Sequence, residues 1–137
     1  MRAWVMGLGL LSGVACGCSN SGHGDLTGEV TLDDQPLRQG SMLLVPVDRA
    51  KGTPAGGEIQ DGRFSLTGKQ APLIGAYKVE IRAMRKSGRK VQKAMGKPGE
   101  LEDEIVEAVA PRFNSATRLH VDVKPGGTTA NFAVTSK

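Results

Sequence analysis

The sequence has few of the residues from which metal sites and catalytic sites are commonly built. Its 137 residues contain two cysteines, Cys16 and Cys18, and two histidines, His23 and His120. No cysteine lies beyond residue 18, which excludes a disulfide framework and a cysteine-based zinc site from the rest of the chain. His120 has no partners at the spacing of a catalytic triad or a metal site. We therefore expect no enzyme activity, no cofactor and no metal.

Aromatic residues are also scarce, at 4% of the chain. If Trp4 is removed with an N-terminal segment, the rest of the chain keeps four aromatic residues, Phe64, Tyr77, Phe113 and Phe132. We therefore expect an aliphatic core. Few aromatic residues lie between the basic ones, so stacking on nucleic-acid bases is not supported. The sequence predicts no nucleic-acid partner.

Glycine and proline, in contrast, are abundant. The chain has 19 glycines and 7 prolines, about a fifth of all residues, against a usual share of roughly 12%. A coiled coil or helical bundle would carry alanine, leucine, glutamate and lysine at those positions. Length predicts one domain, and the net charge is +4. The composition indicates a compact β-protein with many turns.

The N-terminal segment has the pattern of an export signal. Arg2 is followed by an uncharged stretch from Ala3 to Ala15, which is shorter than the roughly 20 residues of a membrane-spanning helix. A basic start, an apolar middle and small residues before a cleavage point are typical of a secretory signal. We assign residues 1–18 to the signal, 19–24 to a flexible polar tether that includes His23, and 25–137 to a folded domain.

The end of this signal resembles the lipobox of bacterial lipoproteins, in which a cysteine after small residues receives diacylglycerol. The resemblance implies an exported protein, anchored by lipid in a cell-envelope membrane and facing the periplasm or the surface. Cys18 is the preferred lipidation site, because Ala15 three residues before it replaces the family's usual leucine better than Gly13 before Cys16 does. Cys16 stays the alternative. One acyl chain binds a membrane marginally, whereas two or three hold it firmly.

Alternation of apolar and polar residues predicts seven strands with turn signals between most of them. Pro46 cannot donate a ladder hydrogen bond, so its part of the strand is expected at an edge or bulge. Asp61-Gly62 suits a two-residue hairpin turn. Short strands of this kind favour a sandwich of two antiparallel sheets. The predicted strands cover 26–32, 43–47, 58–60, 63–66, 75–83, 115–123 and 128–134.

Residues 84–110 do not follow this pattern of short strands and turns. They form a long charged insertion, basic in its first half and acidic in its second. Long loops inside compact domains are usually functional or disordered. One interpretation is an anion site for phosphate, an anionic polymer or lipid head groups. The other is a flexible loop whose oppositely charged halves attract and cancel. Leu101, Ile105, Val106 and Val109 predict a short helix. The candidate anion-binding residues, within segment 82–97, are Arg82, Arg85, Lys86, Arg89, Lys90 and Lys93.

Several segments resemble carboxypeptidase regulatory-like domains, among them Gly40 with residues 43–46, and residues 59–66. Residues 28–37, Gly-Glu-Val-Thr-Leu-Asp-Asp-Gln-Pro-Leu, resemble the opening G-x-V-T-L-D-G-x-P-L of that family. Residues 75–81 resemble its G-x-Y-x-V-x-I strand. Residues 111–119 resemble the P-x-K/R-Y-N-x-x-S/T-x-L segment of small bacterial lipoproteins that carry the domain. Asp34 departs from the family, which often has glycine or asparagine there.

The resemblance covers about residues 26–134 and implies a transthyretin-like, all-β fold: a seven-stranded antiparallel Greek-key sandwich with one charged insertion. It implies no peptidase activity and supplies no catalytic residues. We expect a non-catalytic, lipid-anchored interaction or structural module whose partner is an envelope protein or polysaccharide. The alternative function is anion binding through segment 82–97.

Overall fold

The computed structural model describes residues 22–137, so the predicted signal and both candidate lipidation sites, Cys16 and Cys18, lie outside the described residues. The described part is all-β, with two short 3-10 turns at Gly68–Gln70 and Pro111–Phe113. Its eleven strands are β1 (Leu26–Leu32), β2 (Gln35–Pro36), β3 (Gln39–Pro46), β4 (Ala55–Gln60), β5 (Arg63–Leu66), β6 (Gly75–Arg82), β7 (Met84–Gln92), β8 (Leu101–Glu107), β9 (His120–Val123), β10 (Thr128–Thr129) and β11 (Phe132–Val134).

The main sheet runs in the order β10-β1-β5-β4-β3-β6-β9, with β2 and β11 also paired to β1. It curls into a sandwich-like fold, and each of the seven predicted strands contributes to it. Most neighbours are antiparallel, as predicted, but β10 and β11 run parallel to β1. The turn before Thr128 returns the chain to the start of β1, where the Thr128 N–H donates to the Asp25 carbonyl at 2.8 Å. The last strand therefore begins from the same end as the first.

The core lies on the inward face of the curled sheet and is mainly aliphatic, as predicted. On β6 the alternation is confirmed, since Tyr77, Val79 and Ile81 are almost fully buried. The Tyr77 hydroxyl donates to the Leu73 carbonyl at 2.8 Å, so its ring is buried without leaving a polar atom unsatisfied. The other core side chains include Leu26, Val30, Leu44, Ile59, Leu66, Val123 and Val134.

Two tight turns hold the sheet's register, and the second is the predicted one. Asp33 and Asp34, at φ 50° and 65°, join β1 to β2. Asp61 and Gly62, at φ 51° and 76°, join β4 to β5. Positive φ at both central residues matches the twist of the flanking strands. At Gly62 a Cβ atom would also lie 2.8 Å from Pro36 Cβ, so glycine is needed for space as well as for backbone angle.

The predicted strand 128–134 is divided between β10 and β11. A Cβ atom on Gly28 of β1 would lie 1.6 Å from the Ala130 carbonyl oxygen, so the two backbones approach more closely than any side chain allows. Next to it, the Asn131 side-chain oxygen accepts a hydrogen bond from the Glu29 N–H at 3.0 Å. This close approach interrupts the ladder, yet Phe132 and Val134 are both buried in the core.

Other strand bounds also differ from the predicted ones. The predicted strand 115–123 is shortened to β9, because residues before it form a turn around the buried Asn114. The Asn114 amide donates to the Val109 carbonyl at 3.3 Å, and the Thr117 hydroxyl donates to the Val79 carbonyl at 2.5 Å. Strand β3 begins at Gln39 and is longer than predicted. Pro46 pairs with Tyr77 of β6, beyond the last β3–β4 pair, and so lies at the edge position expected for it.

Residues 22–24, predicted to be part of a flexible tether, pack on the folded body. The Gly24 N–H donates to the Pro72 carbonyl at 3.0 Å, and the Ile74 N–H donates to the Gly22 carbonyl at 2.9 Å. The His23 ring lies 2.8 Å from the Ala71 carbonyl. The ordered body therefore extends to Gly22 rather than beginning at Asp25. We call this end of the sandwich, where β6 also begins, the proximal end.

Replacing Asp34 with glycine should stabilise the protein. Asp34 has φ 65° with a Cβ atom, and glycine avoids the resulting steric cost while keeping the Asp33 carboxylate that accepts the Ser136 N–H. We expect Asp34→Gly to raise the free energy of unfolding by about 0.5–1 kcal/mol in urea titrations. Asp122→Gly, on the extended strand β9, is the matched control and should lower it. Equal losses in both variants would contradict the strain at Asp34.

Candidate functional site

The predicted charged insertion folds as a β-hairpin, which we call the arm (β7, the connecting turn and β8, residues 84–107). The predicted loop is therefore wrong, and so is the predicted helix, because Leu101–Glu107 is a strand. Leu101, Ile105 and Val106 do have helical spacing. However, an isolated helix needs a surface on which to bury its apolar face, and here cross-strand pairing with β7 stabilises the segment instead.

Oppositely charged residues pair across the arm. Lys86 Nζ lies 2.6 Å from the Asp103 carboxylate, which Lys90 also contacts. Lys93 Nζ lies 2.9 Å from Glu100 Oε1 near the turn. The expectation that the basic and acidic halves attract each other is confirmed.

A bulge in β7 builds the arm's best-satisfied carboxylate. Between the Lys86–Ile105 and Lys90–Asp103 pairs, three residues of β7 lie opposite Glu104 alone. Gly88, at φ 90°, supplies the backbone angle for this bulge. Glu104 accepts two hydrogen bonds from the Arg89 guanidinium, at 2.9 and 2.8 Å, and one from the Ser87 hydroxyl. The bulge thus directs Arg89 to Glu104, and the two side chains form a bidentate ion pair.

These contacts lower the pKa values of the acidic residues of the arm. Hydrogen bonds from Lys86 and then Lys90 lower the pKa of Asp103 to about 2. Hydrogen bonds from Ser87 and Arg89 lower the pKa of Glu104, and those from Lys93 and the Lys97 backbone lower the pKa of Glu100. Asp103 in turn raises the pKa of Lys86. The carboxylates are therefore all ionised at neutral pH and hold the two strands together.

Of the six candidate anion-binding residues, five are paired with carboxylates. Besides the pairs above, Arg82 lies 3.7 Å from Glu80 and 4.0 Å from Glu107. Arg85 makes no ion pair within residues 22–137. The six side chains therefore do not converge on one open basic site. Anion binding by this segment stays a prediction, with Arg85 as the residue most free to take part.

Exposed apolar side chains are the feature of the arm that the sequence analysis did not single out. Of the large apolar residues exposed in the described part of the chain, most belong to the arm. Because the strand period is two, Met84, Leu101 and Ile105 share one face of the hairpin, and each is more than half exposed. Met95, 97% exposed, lies in the turn at the tip. The signal in the sequence was the even spacing of Leu101 and Ile105, which places both on one face of a strand.

The base of the arm is bonded to the body, but the two strands of the arm form a sheet separate from the main sheet. At its base the Ala83 N–H donates to Glu107 Oε1 at 2.9 Å, and the Ala108 N–H donates to the Ala83 carbonyl at 2.7 Å. Ala83 and Ala108 are buried beside this junction. Beyond it, β7 and β8 pair only with each other among the described strands. The outer backbone edges of both strands are therefore open to further pairing.

The arm leaves the sandwich at the end opposite to residues 22–24. Strand β6 starts at Gly75, near Gly22, and ends at Arg82, where the arm begins. Strand β1 runs parallel to it in the sheet and likewise ends, at Leu32, near the arm's base, where Leu32 and Met84 line one groove. We call this the distal end. The length of one whole strand thus separates the arm's base from the N-terminal segment.

The described residues contain no group of three or more histidine, cysteine or acidic side chains placed to hold a metal ion. His120 is exposed on β9, with its ring 2.8 Å from the Arg118 carbonyl. No helix in the part of the chain from Gly22 onward is long and apolar enough to cross a membrane.

Comparisons with known proteins add little to this description. No family model matches the chain, and no curated protein matches it. Among solved structures, the chain is similar to a 9R-lipoxygenase from Cyanothece PCC8801, with 14% identity and a TM-score of 0.33. The match covers 83% of this chain and 16% of the lipoxygenase chain. A likeness at this level carries no argument about fold or function.

Acidification should open the arm before it unfolds the body. Hydrogen bonds lower the folded-state pKa values of Glu100, Asp103 and Glu104, so the stabilisation from these groups is present above the unfolded pKa values, 3.8–4.5, and is lost as pH falls through the lowered values, which for Asp103 is about 2. Amide hydrogen exchange should show β8 losing protection across this range while β6 keeps it. Asp103→Asn should give the same opening at neutral pH. Simultaneous loss of protection in both strands would contradict a separately stabilised arm.

Proposed function

We propose that this chain is a non-catalytic, lipid-anchored module of the bacterial cell envelope that presents its arm to a protein partner. The observation that carries this proposal is the arm itself: a hairpin with open edges, on which Met84, Leu101 and Ile105 are exposed on one face beside the Lys86–Asp103–Lys90 cluster, at the end of the sandwich opposite to the N-terminal segment. Because the anchor is at one end and the arm is at the other, the arm would lie away from the membrane.

The proposed anchor is a diacylglyceryl group on Cys18, with Cys16 as the alternative. Three residues separate Cys18 from Gly22, the first described residue. An extended chain spans at most about 3.6 Å per residue, so this link reaches no more than about 14 Å. The hydrogen bonds of Gly22 and Gly24 to the 72–74 segment would therefore hold the proximal end near the membrane.

The chemistry of the arm favours a protein as the partner. Met84, Leu101 and Ile105 offer apolar area that a protein surface could cover, and unbranched Met95 adapts to irregular surfaces. The outer edge of β8 has seven consecutive residues without a bulge, which suits the addition of a strand from a partner. The cations that an anionic polymer would need are mostly engaged by the arm's own carboxylates.

Anion binding through segment 82–97 is the second proposal, and the unpaired Arg85 is the observation in its favour. The two proposals differ in their response to salt. Binding to a polyanion should weaken steeply with added salt and with Arg85→Gln, because exposed charges are screened within about 4 Å at 0.5 M. Binding through the exposed apolar side chains Met84, Leu101 and Ile105 should persist in salt. It should weaken with Leu101→Ser and with Ile105→Ser.

Removal of the arm tests the leading proposal. Replacing residues 85–106 with Asn-Gly would close Met84 onto Glu107 with a two-residue turn, since these residues already pair. The body should keep its thermal midpoint, because the apolar side chains of the arm contribute little to the core. Photo-crosslinking groups placed at positions 84, 101 and 105 should capture one envelope protein in cells.

The matched control for this experiment is the same crosslinker at Gln60, which is exposed on the body. A partner captured equally from position 60, or retained by the armless variant, would contradict the arm as the contact surface. A chain without a diacylglyceryl adduct by intact mass, with Cys16→Ser and Cys18→Ser as references, would contradict the anchor.

A further inference from the structure

An apolar recess lies at the proximal end of the sandwich. Val47 and Ile74 both line it, together with Pro46, Ala76 and the Tyr77 ring, around a volume of about 260 Å³. Val47 is 54% exposed and Ile74 is 38% exposed, although both lie beside a well-packed core. The Val47 N–H donates to the Ala76 carbonyl at 3.0 Å, so the backbone fixes the two apolar side chains on neighbouring loops.

The recess lies next to Gly22, the first described residue, which follows Cys18 by four positions in the chain. The Ile74 N–H donates to the Gly22 carbonyl at 2.9 Å. An extended link from Gly22 reaches at most about 14 Å to Cys18 and about 22 Å to Cys16. Whichever cysteine carries lipid, the recess therefore lies within a short distance of the membrane surface.

Four basic residues lie in the loops at this end of the sandwich, and we call Arg49, Lys51, Lys69 and Lys124 the basic rim. Lys51 lines the recess itself, and Lys69 lines an adjoining groove with His23. Lys124 lies beside Gly24, where a Cβ atom would be 2.5 Å from the Lys124 carbonyl oxygen. Within residues 22–137, Lys51 alone of the four makes an ion pair, with Asp48 at 3.9 Å. Asp48 also lines the recess, and Asp25 and Asp122 are exposed at the same end, so the four cations leave a small positive excess there.

We propose that the proximal end is a membrane-contact face, in which Val47 and Ile74 enter the lipid interface and the basic rim binds anionic head groups. This inference rests on the proposed lipid anchor, which holds that end at the bilayer. An apolar centre with a cationic surround is the arrangement by which peripheral proteins lie on anionic membranes. Each basic residue near such a surface strengthens binding by about fivefold.

Tryptophan scanning with brominated lipids tests the face directly. Trp4 is the single tryptophan of the chain, so Trp4→Phe gives a silent background for Val47→Trp, Ile74→Trp and Met95→Trp. The protein isolated from membranes is placed in vesicles of phosphatidylglycerol and phosphatidylcholine with dibrominated acyl chains. Tryptophan at positions 47 and 74 should shift its emission to the blue and lose intensity. Tryptophan at position 95, on the arm tip, should do neither.

Two results would overturn the membrane-contact face. Tryptophan at positions 47 and 74 could behave like tryptophan at position 95, which would place the recess in water. Alternatively, the triple variant Lys51→Gln, Lys69→Gln, Lys124→Gln could keep full quenching on anionic vesicles, which would remove the basic rim from the contact. Val47→Trp is the more tolerant probe, because Val47 is more than half exposed, and an unchanged thermal midpoint checks that each variant is folded.

The anchor and the face can fail separately. Intact mass of the same sample reports the anchor, and a chain without the adduct would overturn the proposed lipidation. The same variants, produced without export and starting at Cys18, would then be coupled through that cysteine to a maleimide lipid in the vesicles. Quenching at positions 47 and 74 in that sample supports the face by itself, and its absence overturns the face.

Discussion

The ladder of backbone hydrogen bonds between β3 and β6 is the constraint on which the rest of the structure depends. It joins six residues of each strand, from Ser41–Arg82 to Pro46–Tyr77, and it fixes β6 as one straight element along the sandwich. At its proximal end this ladder positions the loops that carry Val47 and Ile74. At its distal end it positions Ala83, from which the arm starts. The two exposed apolar surfaces are therefore kept at opposite ends by one strand pair.

The body and the arm are stabilised by different forces. Burial of side chains such as Val79, Ile81 and Tyr77 holds the body, and this contribution depends weakly on salt and pH. The arm has almost no buried side chains and depends on cross-strand ion pairs and backbone pairing. Isolated two-stranded hairpins are marginally stable in water. The arm is therefore the part of the described chain that a bound partner would stabilise most.

Local sequence signals predicted the body well and the arm poorly. The alternation in residues 75–83 and the Asp61-Gly62 turn follow from steric rules that act over a few residues, and both are present in the structure. The division of the strand 128–134 depends on the Ala130 carbonyl meeting Gly28, a contact across about 100 residues that no local pattern contains. In the arm, the spacing of Leu101, Ile105 and Val106 favoured a helix, and pairing with β7 made the segment a strand instead. The attraction between the basic and the acidic half of the arm could be predicted from the charges in the sequence alone.

In the proposed orientation the chain is held at its proximal end and presents its arm at the other. Energy transfer from a dye at position 95 to acceptors in the lipid head groups measures the height of the arm tip above the bilayer. Strand β6 has eight residues and so extends about 26 Å. We expect the arm tip to lie farther from the head groups than this length. A tip at the membrane surface would contradict both the proposed orientation and the role assigned to the arm.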